Sequence, residues 1–94
     1  MIIGFRDTET ARIWHGEGSR RLPSDIQNVA LRKLRILNAA LELTDLRVPP
    51  GNRLESLRGN RAGQHSIRIN DQWRICFVWT AGGPQDVEIV DYHR

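Results

Sequence analysis

The sequence predicts an α+β fold: a short N-terminal strand and two helices packed on an antiparallel β-sheet. Three features carry that prediction. Apolar residues recur at helical spacing from Ile26 to Leu43, Pro49-Pro50-Gly51-Asn52 interrupts the chain near its middle, and beyond it apolar residues alternate with period two. A length of 94 residues with 39% hydrophobic and 27% charged composition fits one domain over residues 1–94 and argues against disorder.

Residues 1–5 read as a short strand. Asp7-Thr8-Glu9 supplies a cap and an acidic first turn for a helix carrying Ala11, Ile13 and Trp14, which stops at Gly16 or Gly18. Pro23-Ser24 with Gln27 three residues on resembles a capping box. Ile26, Val29, Ala30, Leu34, Leu37 and Leu41 then mark one face of the longest helix, as far as Leu43. In the second half, residues 53–57 form a short strand and 63–69, 73–79 and 86–92 form longer ones.

A turn at Asn70-Asp71-Gln72 pairs Ile67 with Ile75, so His65, Ile67 and Ile69 share a helix-facing side with Trp73, Ile75, Phe77 and Trp79. Across the Ala81-Gly82-Gly83-Pro84 turn, pairing Phe77 with Ile89 sets Arg74 opposite Tyr92. Arg68, Arg74 and Tyr92 then converge on the open face.

Of the 14 basic residues only Lys33 is lysine, against 11 acidic residues. Guanidinium groups hold phosphate bidentately, which suits nucleic acid; high genomic GC content produces the same enrichment. Position separates the two explanations better: residues 53–74 hold five arginines against Glu55 and Asp71, whereas Asp86, Glu88 and Asp91 crowd the last ten residues. One cysteine, Cys76, excludes an internal disulfide, and His15, His65 and His93 lack metal-ligand spacing, so neither metal nor cofactor is expected. The chain opens Met1-Ile2-Ile3-Gly4-Phe5 and turns polar at once, unlike a secretory signal. No stretch approaches the ~20 apolar residues of a membrane span, so the expected location is the cytoplasm, away from membranes.

Arg68 beside Arg74 is a repulsive cross-strand pair. Either a bound phosphate lies between them, or Glu88 or Asp91 neutralises them as surface ion pairs. Asp91-Tyr92-His93 supplies a carboxylate, a phenol and an imidazole, the groups of general acid–base transfer, though such residues also end strands in inert proteins. Cys76 in mid-strand reads as a packing residue, His65 as a core-edge histidine, and Trp14, Trp73 and Trp79 as core.

Leu57-Arg58-Gly59-Asn60-Arg61, the run from Ile67 through Asn70-Asp71-Gln72-Trp73-Arg74 to Phe77, and the ending Val87-Glu88-Ile89-Val90-Asp91-Tyr92-His93 together resemble the HigB toxins of the RelE/ParE superfamily. The resemblance covers nearly the whole chain. It implies a toxin of a type II toxin-antitoxin system: a ribosome-dependent messenger RNA endonuclease, or mRNA interferase, that inhibits translation. The implied partners are the ribosome, mRNA, a HigA-like helix-turn-helix antitoxin and, through that antitoxin, operator DNA. Carried over by position, Arg74 matches the family's phosphate-holding arginine and Asp91, Tyr92 and His93 its terminal active-site cluster. Some HigB proteins place a catalytic histidine just before the Leu-Arg/Lys-Gly turn; here the position holds Glu55, either a general base or a structural residue. Arg58, Arg61 and Arg68 are expected to dock RNA phosphates. Two other readings stand beside this one: a ParE-like inhibitor of DNA gyrase, and an attenuated toxin acting in an autoregulatory DNA-binding complex.

Overall fold

The computed structural model describes residues 1–92. Helices α1 (Thr8–Trp14) and α2 (Ser24–Ala39) pack on one face of a four-stranded antiparallel meander, β1 (Glu55–Ser56), β2 (His65–Arg68), β3 (Trp73–Thr80) and β4 (Gly83–Asp91). The α+β class expected from the sequence is therefore the one observed. Ile26, Ala30, Leu34 and Leu37 of α2 meet Ile67, Ile75, Phe77, Val87 and Ile89 of the sheet, with Ile13 and Leu46 at the margins, in one apolar core. Each of these side chains larger than Ala30 contributes about 1.5–3 kcal/mol when fully removed from water. Trp14, Trp73 and Trp79 pack against this core while staying partly exposed.

The N-terminal strand survives in reduced form. Ile3 N donates to Pro84 O, Val87 N to Gly4 O and Arg6 N to Val87 O, and a single bridge pairs Phe5 in parallel with Val87. Farther along the same edge, Ile89 N donates to the buried Thr10 Oγ1 of α1 at 2.9 Å. Chain start and helix together thus cover backbone groups of β4 that an edge strand otherwise offers to another chain.

Asp7 caps α1 as expected, its carboxylate accepting from Thr10 N at 2.7 Å. The capping box at α2 does not form. Pro23 is the N-cap and has no side chain to accept a hydrogen bond, and the Gln27 amide turns back to the preceding loop, donating to Ser19 O and Leu22 O. Helix α2 also ends four residues early. Asp45 Oδ2 accepts from Leu41 N and Glu42 N, which turns the chain into a 3₁₀ helix at Leu43–Arg47 and leaves Leu41 88% exposed instead of in the core.

The pairing of β2 with β3 is the expected one, Ile67 facing Ile75 and Arg68 facing Arg74. That of β3 with β4 differs: the hairpin closes tightly at Thr80↔Gly83, and an extra β4 residue near Asp86 (φ 52) forms a bulge between the Cys76 and Val78 pairs. Ile75, not Phe77, pairs with Ile89, and Arg74 pairs with Val90, not Tyr92. From Val87 to Tyr92 the shift is two residues, an even number, so those side chains keep their face; on the turn side of the bulge it is three. The tight closure needs Gly83: its φ is +129, and a Cβ there would stand 2.2 Å from Met1 O.

Candidate active site

On the sheet face turned away from the helices, cross-strand pairing aligns Glu55, Ser66, Cys76 and Glu88 in one row and Arg68, Arg74 and Val90 in the next. Arg74 is not on an open surface, as the sequence implied, but only 7% exposed. Burying a guanidinium is costly unless its donors are satisfied, and here they are. Nε donates to Ser66 Oγ at 2.7 Å, Nη2 donates to Arg53 O at 2.6 Å and to Ser66 O at 3.4 Å, and Nη1 lies 3.8 Å from Glu55 Oε1. Arg53 follows the 3₁₀ turn Pro50–Asn52 in a left-handed conformation, φ 45, and so contributes its carbonyl from the chain reversal. The result is a cation in one fixed orientation beside a carboxylate.

Tyr92 reaches the same group from β4. It lies one alternation beyond Val90, its amide is held by Gln72 O at 2.7 Å, and its ring centroid is 6.0 Å from Arg74 Cζ, a cation–π distance. Expected proximity is thus reached along the diagonal of the ladder, not across it. Asp91 falls elsewhere. It pairs with Trp73, so its side chain leaves the sheet on the opposite side from Arg74, and its carboxylate accepts from Gln72 Nε2 at 3.1 Å. His93 lies outside the described residues.

The three arginines expected to dock RNA differ among themselves. Arg61 donates to Glu88 Oε1 at 2.7 Å and to Gln64 Oε1 at 3.0 Å, and the Glu88 bond raises its pKa further. Arg68 donates to Asp71 Oδ1 at 2.5 Å, which holds that carboxyl below the usual range. Arg58 is exposed and makes no ion pair among the described residues. Glu88, a candidate counter-ion for Arg68 and Arg74, is engaged by Arg61 and Arg6 instead.

Sequence reasoning missed the two groups that hold Arg74. Ser66 was discoverable, because alternation puts it on the face of Arg68, one step diagonal to Arg74. The Arg53 carbonyl was not, since nothing in the sequence marks a left-handed arginine.

Cys76 is fully buried, and loss of solvation pushes its thiol up to about 11. A thiol in that state is a poor nucleophile. Cys76→Ala should leave function intact at a stability cost of about 1 kcal/mol, and the native protein should resist thiol alkylation at pH 8 until denatured, as read by mass spectrometry. His65 stacks on Phe77 at 6.3 Å, with Nδ1 buried and unbonded, in keeping with a core-edge residue. Among the described residues no cluster of His, Cys, Asp and Glu is arranged to hold a metal ion, and no helix is long and apolar enough to cross a membrane.

The family model of the RelE-like toxin of type II toxin-antitoxin system HigB matches residues 3–93. Toxin HigB-1 of Vibrio cholerae is 46% identical over 83 residues, covering 87% of each chain. An uncharacterized protein of Haemophilus influenzae is 36% identical over 76 residues, covering 80% of this chain and 75% of its own. With a match that spans nearly every residue of the two helices and the four strands, the chain belongs to the RelE-like HigB toxins of type II toxin-antitoxin systems.

Proposed function

We propose that this toxin is a ribosome-dependent endoribonuclease that cuts messenger RNA during translation, and that Arg74, Glu55 and Tyr92 form the heart of its active site. The observation that carries the reading is the Arg74 guanidinium, buried and held by Ser66 and Arg53, with the Glu55 carboxylate 3.8 Å away and the Tyr92 ring at 6.0 Å. Metal-independent RNA cleavage needs a base for the ribose 2'-hydroxyl, an acid for the leaving 5'-oxygen and a cation for the charge that grows on the phosphoryl oxygens. Arg74 serves as the cation and is preorganised, so it needs no reorientation as charge develops. Glu55 takes the 2'-hydroxyl proton, and the Tyr92 phenol, with His93 beside it in sequence, protonates the leaving oxygen. Asp91 orients the strand end through Gln72 instead of exchanging protons.

Membership of a type II system implies an antitoxin partner. We assign that role to a HigA-like helix-turn-helix protein, which would bring the toxin to operator DNA.

Expression of this chain alone should arrest growth and produce cuts inside coding regions. Primer extension should show those cuts vanish when the start codon of a reporter message is removed. Equal cutting of untranslated RNA would refute ribosome dependence, and gyrase trapped on DNA with RNA intact would favour the ParE-like alternative.

A further inference from the structure

Lys33, the lone lysine, lies on the core face of α2, flanked at helical spacing by the buried Ala30 and Leu37 and itself only 8% exposed. A buried ammonium is costly unless it is partnered. Its partner is the side chain of Asn52, also buried, whose Oδ1 accepts from Nζ at 2.6 Å. The Asn52 amide donates in turn to Leu46 O and Val48 O, both at 3.2 Å, and the Asn52 backbone N donates to Pro49 O at 2.9 Å. Asn52 thus ties the incoming limb of the chain reversal to the outgoing one, and Lys33 ties Asn52 to the helix layer.

The outgoing limb carries two of the groups around Arg74. Arg53 O accepts from Arg74 Nη2 at 2.6 Å, and Glu55 Oε1 lies 3.8 Å from Nη1. Arg53 N donates to Pro50 O at 3.1 Å and the residue is left-handed, so the direction of its carbonyl is set by the turn that Asn52 closes. Ser66 Oγ holds Nε of the guanidinium while Arg53 O holds Nη2 of the same plane, and a displaced carbonyl would let that plane turn. Lysine suits the buried end of this chain of contacts: an ammonium is a compact donor that can be aimed at one amide oxygen, where a guanidinium would bring five N–H groups to satisfy.

We propose that Lys33 and Asn52 are positioning residues for the active site: from the opposite layer of the fold, and without touching RNA, they hold the reversal so that the Arg53 carbonyl and Glu55 fix Arg74 in its working orientation. The role in cleavage rests on the nuclease reading above; the orientation of Arg74 does not. The coupling runs through contiguous hydrogen bonds, from Nζ to the Asn52 amide and from the next residue's carbonyl to Nη2, a physical path and not mere nearness.

Two readouts test it, on Lys33→Met and on Asn52→Asp, which still accepts from Lys33 but cannot donate to Leu46 O and Val48 O. The first is NMR of the arginine side-chain nitrogens. In the wild type Arg74 should show separate Nη signals and a slowly exchanging Nε–H, and in both variants the Nη signals should average and the Nε–H exchange faster. The second is single-turnover cleavage of a ribosome-held message, expressed per folded molecule. Both variants should lose about tenfold to a hundredfold, as for a displacement of reacting groups by about 1 Å, with ribosome affinity within about twofold of wild type. In an Arg74→Ala background Lys33→Met should change the rate less than about twofold, because the group it positions is absent. Ile26→Val, in the core face of the same helix but away from the strut, should leave both readouts at wild type. Averaged Nη signals in the wild type, unchanged Arg74 signals in the variants, altered signals with wild-type rates, or equal losses in the two Arg74 backgrounds each overturn the positioning role. If Lys33→Met does not fold, Asn52→Asp carries the same test. If the wild type cuts no message, the nuclease reading fails and the NMR alone decides whether the strut orients Arg74.

Discussion

Arg74→Ala should slow single-turnover cleavage of a ribosome-held message by roughly a hundredfold to a thousandfold, about 3–4 kcal/mol, the range for losing one preorganised donor to a developing oxyanion. The same substitution acts on the fold. It strips the donor from Ser66 Oγ and from Arg53 O in a largely buried setting, and a buried acceptor left unpaired costs about 1–3 kcal/mol. Rates must therefore be normalised to the folded fraction, measured by urea unfolding of the same preparation. Arg74→Lys separates the two effects. It retains the charge yet cannot serve Ser66, Arg53 and a phosphate from one planar fork, so it should recover less than a tenth of the wild-type rate while regaining part of the stability. Wild-type rates in folded Arg74→Ala would remove Arg74 from the chemistry and leave it as a strut between β3 and the Arg53 reversal.

The parts of this arrangement that were legible in the sequence are those fixed by alternation. Ile67, Ile75 and Ile89 had to share a face, and Arg68, Arg74 and Tyr92 therefore had to share the other; a β4 register wrong by two residues left that partition untouched. The same alternation puts Asp91 away from Arg74, a consequence hidden by reading Asp91-Tyr92-His93 as one cluster. Exposure was less legible. Whether Arg74 faces water or is held depends on how the chain reversal brings the Arg53 carbonyl and Glu55 to it, and that path rests on a left-handed Arg53 and the Asn52 amide, which carry no period. The end of α2 was misplaced for a related reason: Leu41 and Leu43 continue the helical spacing, but Asp45 captures the amides of Leu41 and Glu42 and bends the chain before the pattern runs out.

Glu55→Gln should lower cleavage by about a hundredfold to ten-thousandfold if the carboxylate removes the 2'-hydroxyl proton, the usual contribution of a positioned general base. The substitution is close to isosteric, and the Glu55 side chain is 31% exposed, so the screened ion pair with Arg74 gives up little, about 0–1 kcal/mol. Activity and stability should therefore separate here, in contrast to Arg74→Ala. A residue that merely steadies Arg74 would behave differently. Glutamine still offers an oxygen to Nη1, so the loss would stay near tenfold or below. A base leaves a distinct signature: Glu55→Asp, which retains a retracted carboxylate, keeps more of the rate than the glutamine variant although it is the less isosteric change. Combining Glu55→Gln with Arg74→Ala should cost less than the product of the two, since groups that act on one transition state are not independent. Single-turnover rates on programmed ribosomes decide the matter, and a glutamine variant within about tenfold of wild type and no slower than Glu55→Asp would transfer the proton abstraction to another group of the site.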